Sequence, residues 1–355
     1  MFSQISPKYY CDPSILDLEQ KSIFKENWIF IGFKKELVNN NDFIFKKIGN
    51  IPVVVQNFKG EIKALLNICS HRFSLIQTQS CGNRPLLCPY HGWAYNKKGI
   101  PCGIPKKPLF TEFTLEQLND LKLKEYQVDF CGDLCFVKIL SSPQTLKEYL
   151  GEFYNELETL STSKLVCVDI NALDINSNWK IIVENTLESY HVNLVHSNTF
   201  QKLGASGLHF SFSEKHSKWT APLALNEDDP KLKNIHSKFK NRKLKINGYE
   251  HYLIYPNLLI STSYGISYNF SLIEPVTEDK TKFTSYVYLA EHEETPLTKA
   301  YAQSLVDFNR EVFDEDKEIC EFVQEGVKYT DQPGILSLEE KRVHSFQEHY
   351  IKQMT

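Results

Sequence analysis

Two short stretches, "CSHR" at residues 69–72 and "CPYHGW" at residues 88–93, decide how this chain is read. Each supplies one cysteine and one histidine, and sixteen residues separate His71 from Cys88. A structural zinc site tends to pair like with like, in C-x₂₋₄-C and H-x₃₋₅-H knuckles. Here both stretches are mixed, so each turns a thiolate and an imidazole toward a shared centre.

That mixture fits a Rieske [2Fe–2S] centre, in which two cysteines hold one iron and two histidines the other. Cys69, His71, Cys88 and His91 are the candidate ligands, Gly92 suits a tight turn after the last of them, and Trp93 can keep water from the cluster. A zinc site or chance spacing is the alternative. The pattern C-x-H-x₁₆-C-x₂-H resembles the Rieske family. Where members of that family staple the two loops with a disulfide, its cysteines would fall at 74 and 90. This chain has Ser74 and Tyr90 there, and so resembles the low-potential oxygenase and ferredoxin branch. Cys81 and Cys102 are read as structural thiols.

Outward from these loops the pattern is of short β-branched runs, such as "IPVVVQNF" (51–58) and "DLCFVKIL" (133–140), parted by Gly, Asn and Lys. This predicts a small antiparallel β domain over 38–142. Residues 1–37 are expected to be a helical, aromatic segment that packs on the second domain, with Pro13 near a helix start. Residues 143–355 are expected to form that domain, α+β, with a helix near 141–160, several strands and a long helix from Pro296.

The 355 residues carry a net charge of −4 and nine cysteines. The charge predicts no nucleic-acid surface. The start, "MFSQISPKYYCD", lacks a basic region followed by an apolar one, and no apolar run nears the ~18 residues of a membrane span. The expectation is a cytoplasmic protein with reduced or metal-bound thiols. Residues 231–245 hold seven Lys and Arg, read as a solvated face, or else as a lid or a docking patch for an acidic redox partner.

A Rieske centre passes single electrons and does no chemistry on a substrate, so the remaining two hundred or so residues should hold an electron sink. "NWKIIVENTLESYHVNLVH" (178–196) offers His191 and His196 beside Glu184, Asn185 and Glu188. On a regular helix, five residues would turn the two imidazoles roughly 140° apart, so convergence needs a helix end or a π-type bulge between them. On the last long helix, Leu305, Phe308, Val312, Ile319 and Val323 form an apolar stripe that includes Asp316, with Glu315 turned toward another face. A carboxylate on a buried stripe is costly unless paired or metal-bound. His191, His196 and Asp316 together make a two-histidine, one-carboxylate facial triad for Fe(II). The alternative is a helix that lifts off the core at Asp316.

Along nearly its whole length the chain now resembles the catalytic α subunits of Rieske non-haem iron oxygenases. The Rieske loops are followed by N-W-K, then E-N-x-x-E-x-Y-H-x₄-H, then "YPNLLIS" (255–261) and "DEDKEICEFVQEG" (314–326). The resemblance implies a helix-grip, START-like catalytic domain and a head-to-tail homotrimer. It implies that an acid bridges a cluster histidine of one subunit to an iron histidine of the next. Many members have Asp at that place; here it is Glu188, with Asn185 and Tyr190 as supporting candidates. Glu188 together with the C-E-x-V-Q run resembles the carnitine and choline monooxygenase branch. It implies O₂ as co-substrate and electrons from NAD(P)H through a separate reductase, directly or by way of a ferredoxin. No GxGxxG site or plant-type C-x₄-C-x₂-C run supplies those functions within the chain.

The substrate expected from this branch is a small quaternary ammonium or N-methyl compound, to be hydroxylated or demethylated. Its cation could rest on aromatic faces drawn from Phe210, Phe212, Trp219, Tyr264, Tyr268, Phe270, Tyr286 and Tyr288. Ring dihydroxylation of an aromatic, as by a dioxygenase α subunit, and a Rieske electron carrier are the competing classes.

Overall fold

The computed structural model describes residues 1–110, 114–162, 164–224, 229–239 and 246–355. They form two compact units, Gln20–Tyr149 and the combination of Met1–Glu19 with Leu150–Thr355. Helix α1 (Pro13–Glu19) closes the N-terminal part of the second unit.

The first unit is an antiparallel sheet of seven strands: β1 (Ile29–Phe33), β2 (Asp42–Ile48), β3 (Ile51–Phe58), β4 (Glu61–Leu66), β5 (Cys81–Asn83), β8 (Glu125–Cys131) and β9 (Leu134–Lys138). Their order is β1-β9-β8-β4-β3-β2-β5. A separate hairpin pairs β6 (Ala94–Tyr95) with β7 (Pro101–Gly103), and helix α2 (Leu115–Asp120) follows it. Helix α3 (Leu146–Leu150) ends at the division between the units.

The helical segment expected over 1–37 is helical only in part. After α1 the chain makes a π-type turn at Gln20–Phe24 and becomes β1, paired with β9. All five residues of "IFIGF" are buried. An unbroken apolar run leaves no polar face for a surface helix, so it is used as a buried strand at the end of the sheet. The units therefore divide after Glu19 and Tyr149 instead of after 37 and 142. The helix expected at 141–160 is likewise cut in two, by Gly151 at φ +54, into α3 and α4 (Tyr154–Ser161).

The second unit is built on β10 (Leu165–Ile175), β11 (His209–Ser213), β12 (His216–Ala221), β13 (Tyr249–Ile254), β14 (Leu258–Ser263), β15 (Ser267–Thr277) and β16 (Lys280–Ala290). All pairings are antiparallel, in the order β10-β16-β15-β14-β13-β12-β11. Its helices are α5 (Trp179–Thr186), α6 (Val192–Val195), α7 (Pro230–His236), the 31-residue α8 (Pro296–Gly326) and α9 (Lys341–Met354). α8 packs on β10 and α5. Of the basic run, residues 231–236 belong to α7, and residues 240–245 lie outside the described residues.

The N-W-K motif has a structural task. Asn178 caps α5 by accepting from the Lys180 N–H at 3.0 Å. Lys180 and the Trp179 indole then hold the fully buried Glu19 carboxylate, which also accepts from Tyr350. Two opposite charges in a dry interior are tolerable only when each is paired and hydrogen-bonded. This fastens α1 to α5 and α9. Among the described residues, no helix is long and apolar enough to cross a membrane.

Candidate metal centres and substrate chamber

The two cysteine–histidine loops close in the same way. In the first, the Phe73 N–H returns to the Cys69 carbonyl (2.9 Å), and the Cys69 N–H bonds the Ser74 carbonyl (2.8 Å). In the second, Gly92 returns to Cys88 (3.0 Å), and Cys88 bonds Trp93 (2.8 Å). The fifth residue of each loop takes a left-handed conformation, Phe73 at φ +60 and Gly92 at φ +73. Two equivalent turns thus face one another, which is how C-x-H and C-x-x-H come to serve one centre.

Cys69 and Cys88 are buried in the core of the first unit. The His71 and His91 rings lie 4.7 Å apart, and Trp93 stacks on His71 at 4.9 Å. His71 Nδ1 is buried and makes no hydrogen bond. A buried ring nitrogen left unpaired is costly, and a metal ion is the partner its lone pair suits. Tyr95 donates its hydroxyl to Cys69 Sγ at 3.1 Å and accepts from the Ser70 N–H at 2.9 Å. Ser74 and Tyr90 occupy the tips of the loops, and Cys81 and Cys102 are exposed, unpaired thiols.

In the second unit, α5 ends at Thr186 and the one-turn α6 begins at Val192. His191 caps the start of α6 and His196 follows its end, at φ −103 and ψ 33. The break and the off-helix turn together supply the rotation that a continuous helix would deny, bringing the rings to 5.1 Å. From α8, Asp316 Oδ1 lies 3.0 Å from His196 Nε2 and 3.6 Å from His191 Nε2. Ligands about 2 Å from one ion and at right angles stand roughly 3 Å apart. Among the described residues, this is the one set of three or more donors that converges tightly enough for a single ion. The cysteine–histidine quartet does not converge so, as expected of donors divided between two irons and not of a tetrahedral zinc site.

Each Nδ1 is held from behind. Glu188 accepts from His191 Nδ1, from the Tyr190 N–H, and from the His191 N–H at 3.2 Å. Glu315 accepts from His196 Nδ1 at 2.7 Å and from the Thr199 hydroxyl at 2.6 Å. Asn185 donates to Asp316 Oδ1 at 2.7 Å. The Tyr190 ring is not gathered into this site; it is 66% exposed. Glu184 is not gathered either. It is half-buried against Tyr10 and Gln347, and desolvation there pushes its carboxyl up to about 7.

Thr199 went unread in the sequence, and Glu315 was read as turned away from the site. The apolar stripe placed Glu315 on another face, but on α8 the buried positions nearest the site are Cys320 and Gln324, with Asp316 half-buried on the same side and Val323 exposed. A helix turns 3.6 residues at a time, so a stripe traced through Ile319 and Val323 drifts off the core. Glu315 lies about 100° round the helix from Asp316, on the side away from Cys320, so no apolar stripe signals its contact with His196.

Beside these donors, between α8 and the sheet, is a chamber of about 450 Å³. Ser261, Ser267, Asn269 and Ser271 form part of its sheet side, and Tyr301, Leu305, Phe308 and Val312 line it from α8. Asn269 links the layers, donating to Asn309 Oδ1 at 3.1 Å and accepting from Ser271 and Ser285. Of the aromatic candidates, Trp219, Tyr264 and Tyr268 line the chamber. Phe210, Phe212, Phe270, Tyr286 and Tyr288 do not, because their strand positions turn them to other packing.

Residues 164–355 match the model of the ring-hydroxylating α subunit (catalytic domain), and residues 27–119 match the Rieske [2Fe–2S] domain. The chain belongs to the ring-hydroxylating α-subunit family. It is a Rieske non-haem iron oxygenase component, with a [2Fe–2S] cluster and a mononuclear iron. It draws electrons from a separate protein and acts with O₂ on a small molecule.

Among its relatives is the 2-halobenzoate 1,2-dioxygenase large subunit of Burkholderia cepacia, 24% identical over 84% of this chain and 71% of that one. The glycine betaine monooxygenase oxygenase subunit of Chromohalobacter salexigens is 30% identical over 55% of this chain and 43% of that one. In fold, the chain is similar to the quaternary ammonium Rieske monooxygenase CntA in complex with its substrate L-carnitine. The TM-score is 0.81 at 19% identity, over 99% of this chain and 95% of that one.

Proposed function

We propose that this oxygenase component hydroxylates or oxidatively demethylates a small organic substrate in the chamber beside Asp316, with a quaternary ammonium or N-methyl compound as the leading class. Cys69, His71, Cys88 and His91 would hold the cluster, and His191, His196 and Asp316 the iron. Bound there, these groups supply one-electron transfer and the activation of O₂. The observation that carries the reading is the convergence of three donor atoms within 4.8 Å of one another at the wall of a chamber lined in part by aromatic side chains.

The protein's own part is positional. Glu188 and Glu315 keep the Nδ1 protons of His191 and His196 in place, which would leave both Nε2 lone pairs to hold an ion. Asn185 neutralises part of the Asp316 charge and fixes its rotamer. Trp219, Tyr264 and Tyr268 offer ring faces to an alkylammonium group and exclude water around it.

Electrons would come from an NAD(P)H-dependent reductase, directly or through a ferredoxin. A head-to-tail homotrimer would set the cluster of one subunit against the iron of the next, with Glu188 at that junction. Ring dihydroxylation is the second reading, favoured by the halobenzoate dioxygenase relative that aligns over 84% of the chain.

The test is iron content followed by turnover. The purified protein should carry about three irons per chain, and Asp316→Ala about two with its cluster absorbance intact. NADH-coupled oxygen uptake with a surrogate reductase, run over quaternary amines and aromatic acids, then separates the two substrate readings. Two irons per chain in the parent would leave only an electron carrier.

A further inference from the structure

Arg342, on α9, is wholly buried. Its Nε donates to the Ser217 hydroxyl at 3.0 Å and its Nη2 to the Ser217 carbonyl at 3.4 Å. Among the described residues, no carboxylate lies within ion-pair distance of it. An unpaired buried charge costs several kcal/mol, so a guanidinium in this setting lacks a counter-ion. Its Nη1 reaches His251 Nδ1 at 3.0 Å. A guanidinium only donates, so Nδ1 accepts and the imidazole proton sits on Nε2. Burial and the neighbouring Arg342 charge keep this ring neutral, well below the usual histidine range.

His251 lines the same chamber as Asp316. Its ring stacks on Tyr249 at 6.4 Å, Tyr249 meets Phe200 at 5.4 Å, and Phe200 meets His196 at 6.4 Å. The Nε2–H of His251 makes no hydrogen bond to any described residue. The acidic side chains that line the chamber among the described residues are Glu188 and Asp316, both engaged with the metal-site histidines. The carboxylates of the chamber wall are therefore committed to the metal site, while His251, reached from His196 through Phe200 and Tyr249, is backed by a buried positive charge.

We infer that the substrate carries a carboxylate, which the Nε2–H of His251 receives and whose charge Arg342 balances from behind. This rests on the reading of the chamber as the substrate site. A purely structural Arg342, tying α9 to β12 through Ser217, accounts for its Nε and Nη2 bonds. The third bond joins the buried charge to a residue of the chamber wall. A charge-assisted hydrogen bond in a water-poor cavity is about twice as strong as a neutral one and selects for the anion.

The test compares carboxylates with analogues of similar shape that lack the carboxylate: glycine betaine with choline, benzoate with benzamide, and acetate with acetamide. Binding is measured by calorimetry on the cluster- and iron-loaded protein. In at least one pair the acid should bind about tenfold or more tightly. His251→Asn keeps an acceptor for Arg342 but removes the distal N–H. It should bring that pair within about threefold through loss of acid affinity alone, and Arg342→Lys should weaken the acid partner in the same direction. Equal affinities within every pair, no saturable binding by any acid, or an undiminished preference in a folded His251→Asn protein would each overturn the inference. Absorbance and iron content are read on the same samples. Protein lacking them counts against the oxygenase site, whereas loaded protein without acid preference counts against the carboxylate alone.

Discussion

Glu315 accepts the Nδ1 proton of His196 at 2.7 Å, although the two residues are 119 apart in the chain. The same oxygen takes the Thr199 hydroxyl, so the ring is held by a carboxylate that is itself fixed. Such a pair sets both the tautomer and the basicity of a metal-binding histidine. Glu315→Gln is expected to weaken iron binding by roughly 10–100-fold while leaving the cluster absorbance unchanged. Competition with a chelator of known affinity measures this. Parent-like iron retention would mean that α6 alone orients His196.

Tyr95 and Cys69 set a second expectation. A hydroxyl donating to a cluster sulfur stabilises the reduced, more negative state. Tyr95→Phe removes that donor without changing ring volume. The midpoint potential should fall by roughly 40 mV, the one-electron equivalent of about 1 kcal/mol for a single hydrogen bond. Redox titration of the cluster absorbance would show it, and an unchanged or raised potential would count against the bond.

Glu188 holds His191 Nδ1 and two backbone N–H groups. In the proposed trimer it also faces a cluster histidine of the adjacent subunit. Glu188→Gln keeps the size and removes the charge. The variant should retain its irons, yet reoxidise its cluster at least about tenfold more slowly once O₂ and substrate are added. Rapid-mixing absorbance reads the rate, and sedimentation reads the assembly. A monomeric parent protein would remove the junction from the argument.

Glu184 supplies a pH dependence that is separate from the metal site. Burial is the largest cause of its shift from 4.5 to about 7; Gln347, Tyr10 and Lys180 only offset it. Because the folded value is the higher one, the folded protein binds more protons between those limits than the unfolded chain. Stability is then full below pH 4.5 and declines as pH rises toward 7, by roughly 3 kcal/mol for this group alone. Glu184→Gln should remove that decline. Urea midpoints of parent and variant at pH 5 and pH 7.5 make the comparison, and parallel changes in the two proteins would contradict it.

The sequence alone determined what is locally encoded. The cluster loops are turns of a few residues, closed by hydrogen bonds from one residue to the fourth or fifth beyond it, so ligand spacing and loop geometry are the same information. The pair His191 and His196 was legible for a similar reason, since the need for a helix break follows from the 3.6-residue turn. Asp316 stood out as a carboxylate on an apolar stripe, and even there the stripe was misdrawn beyond one turn. The strand at Ile29–Phe33 was missed because a short apolar run has no period of its own, and its pairing with β9 decided its form.

Only the tertiary structure joined Glu315 to His196, Glu19 to Lys180 and Arg342 to His251. These partners lie 119, 161 and 91 residues apart, and no local spacing constrains them. What places them is sheet register and helix packing, which put His251 opposite Ser261 and lay α9 against β12. A buried charge declares its role only when its surroundings are known, because the same arginine is ordinary in water and demands a partner in the interior.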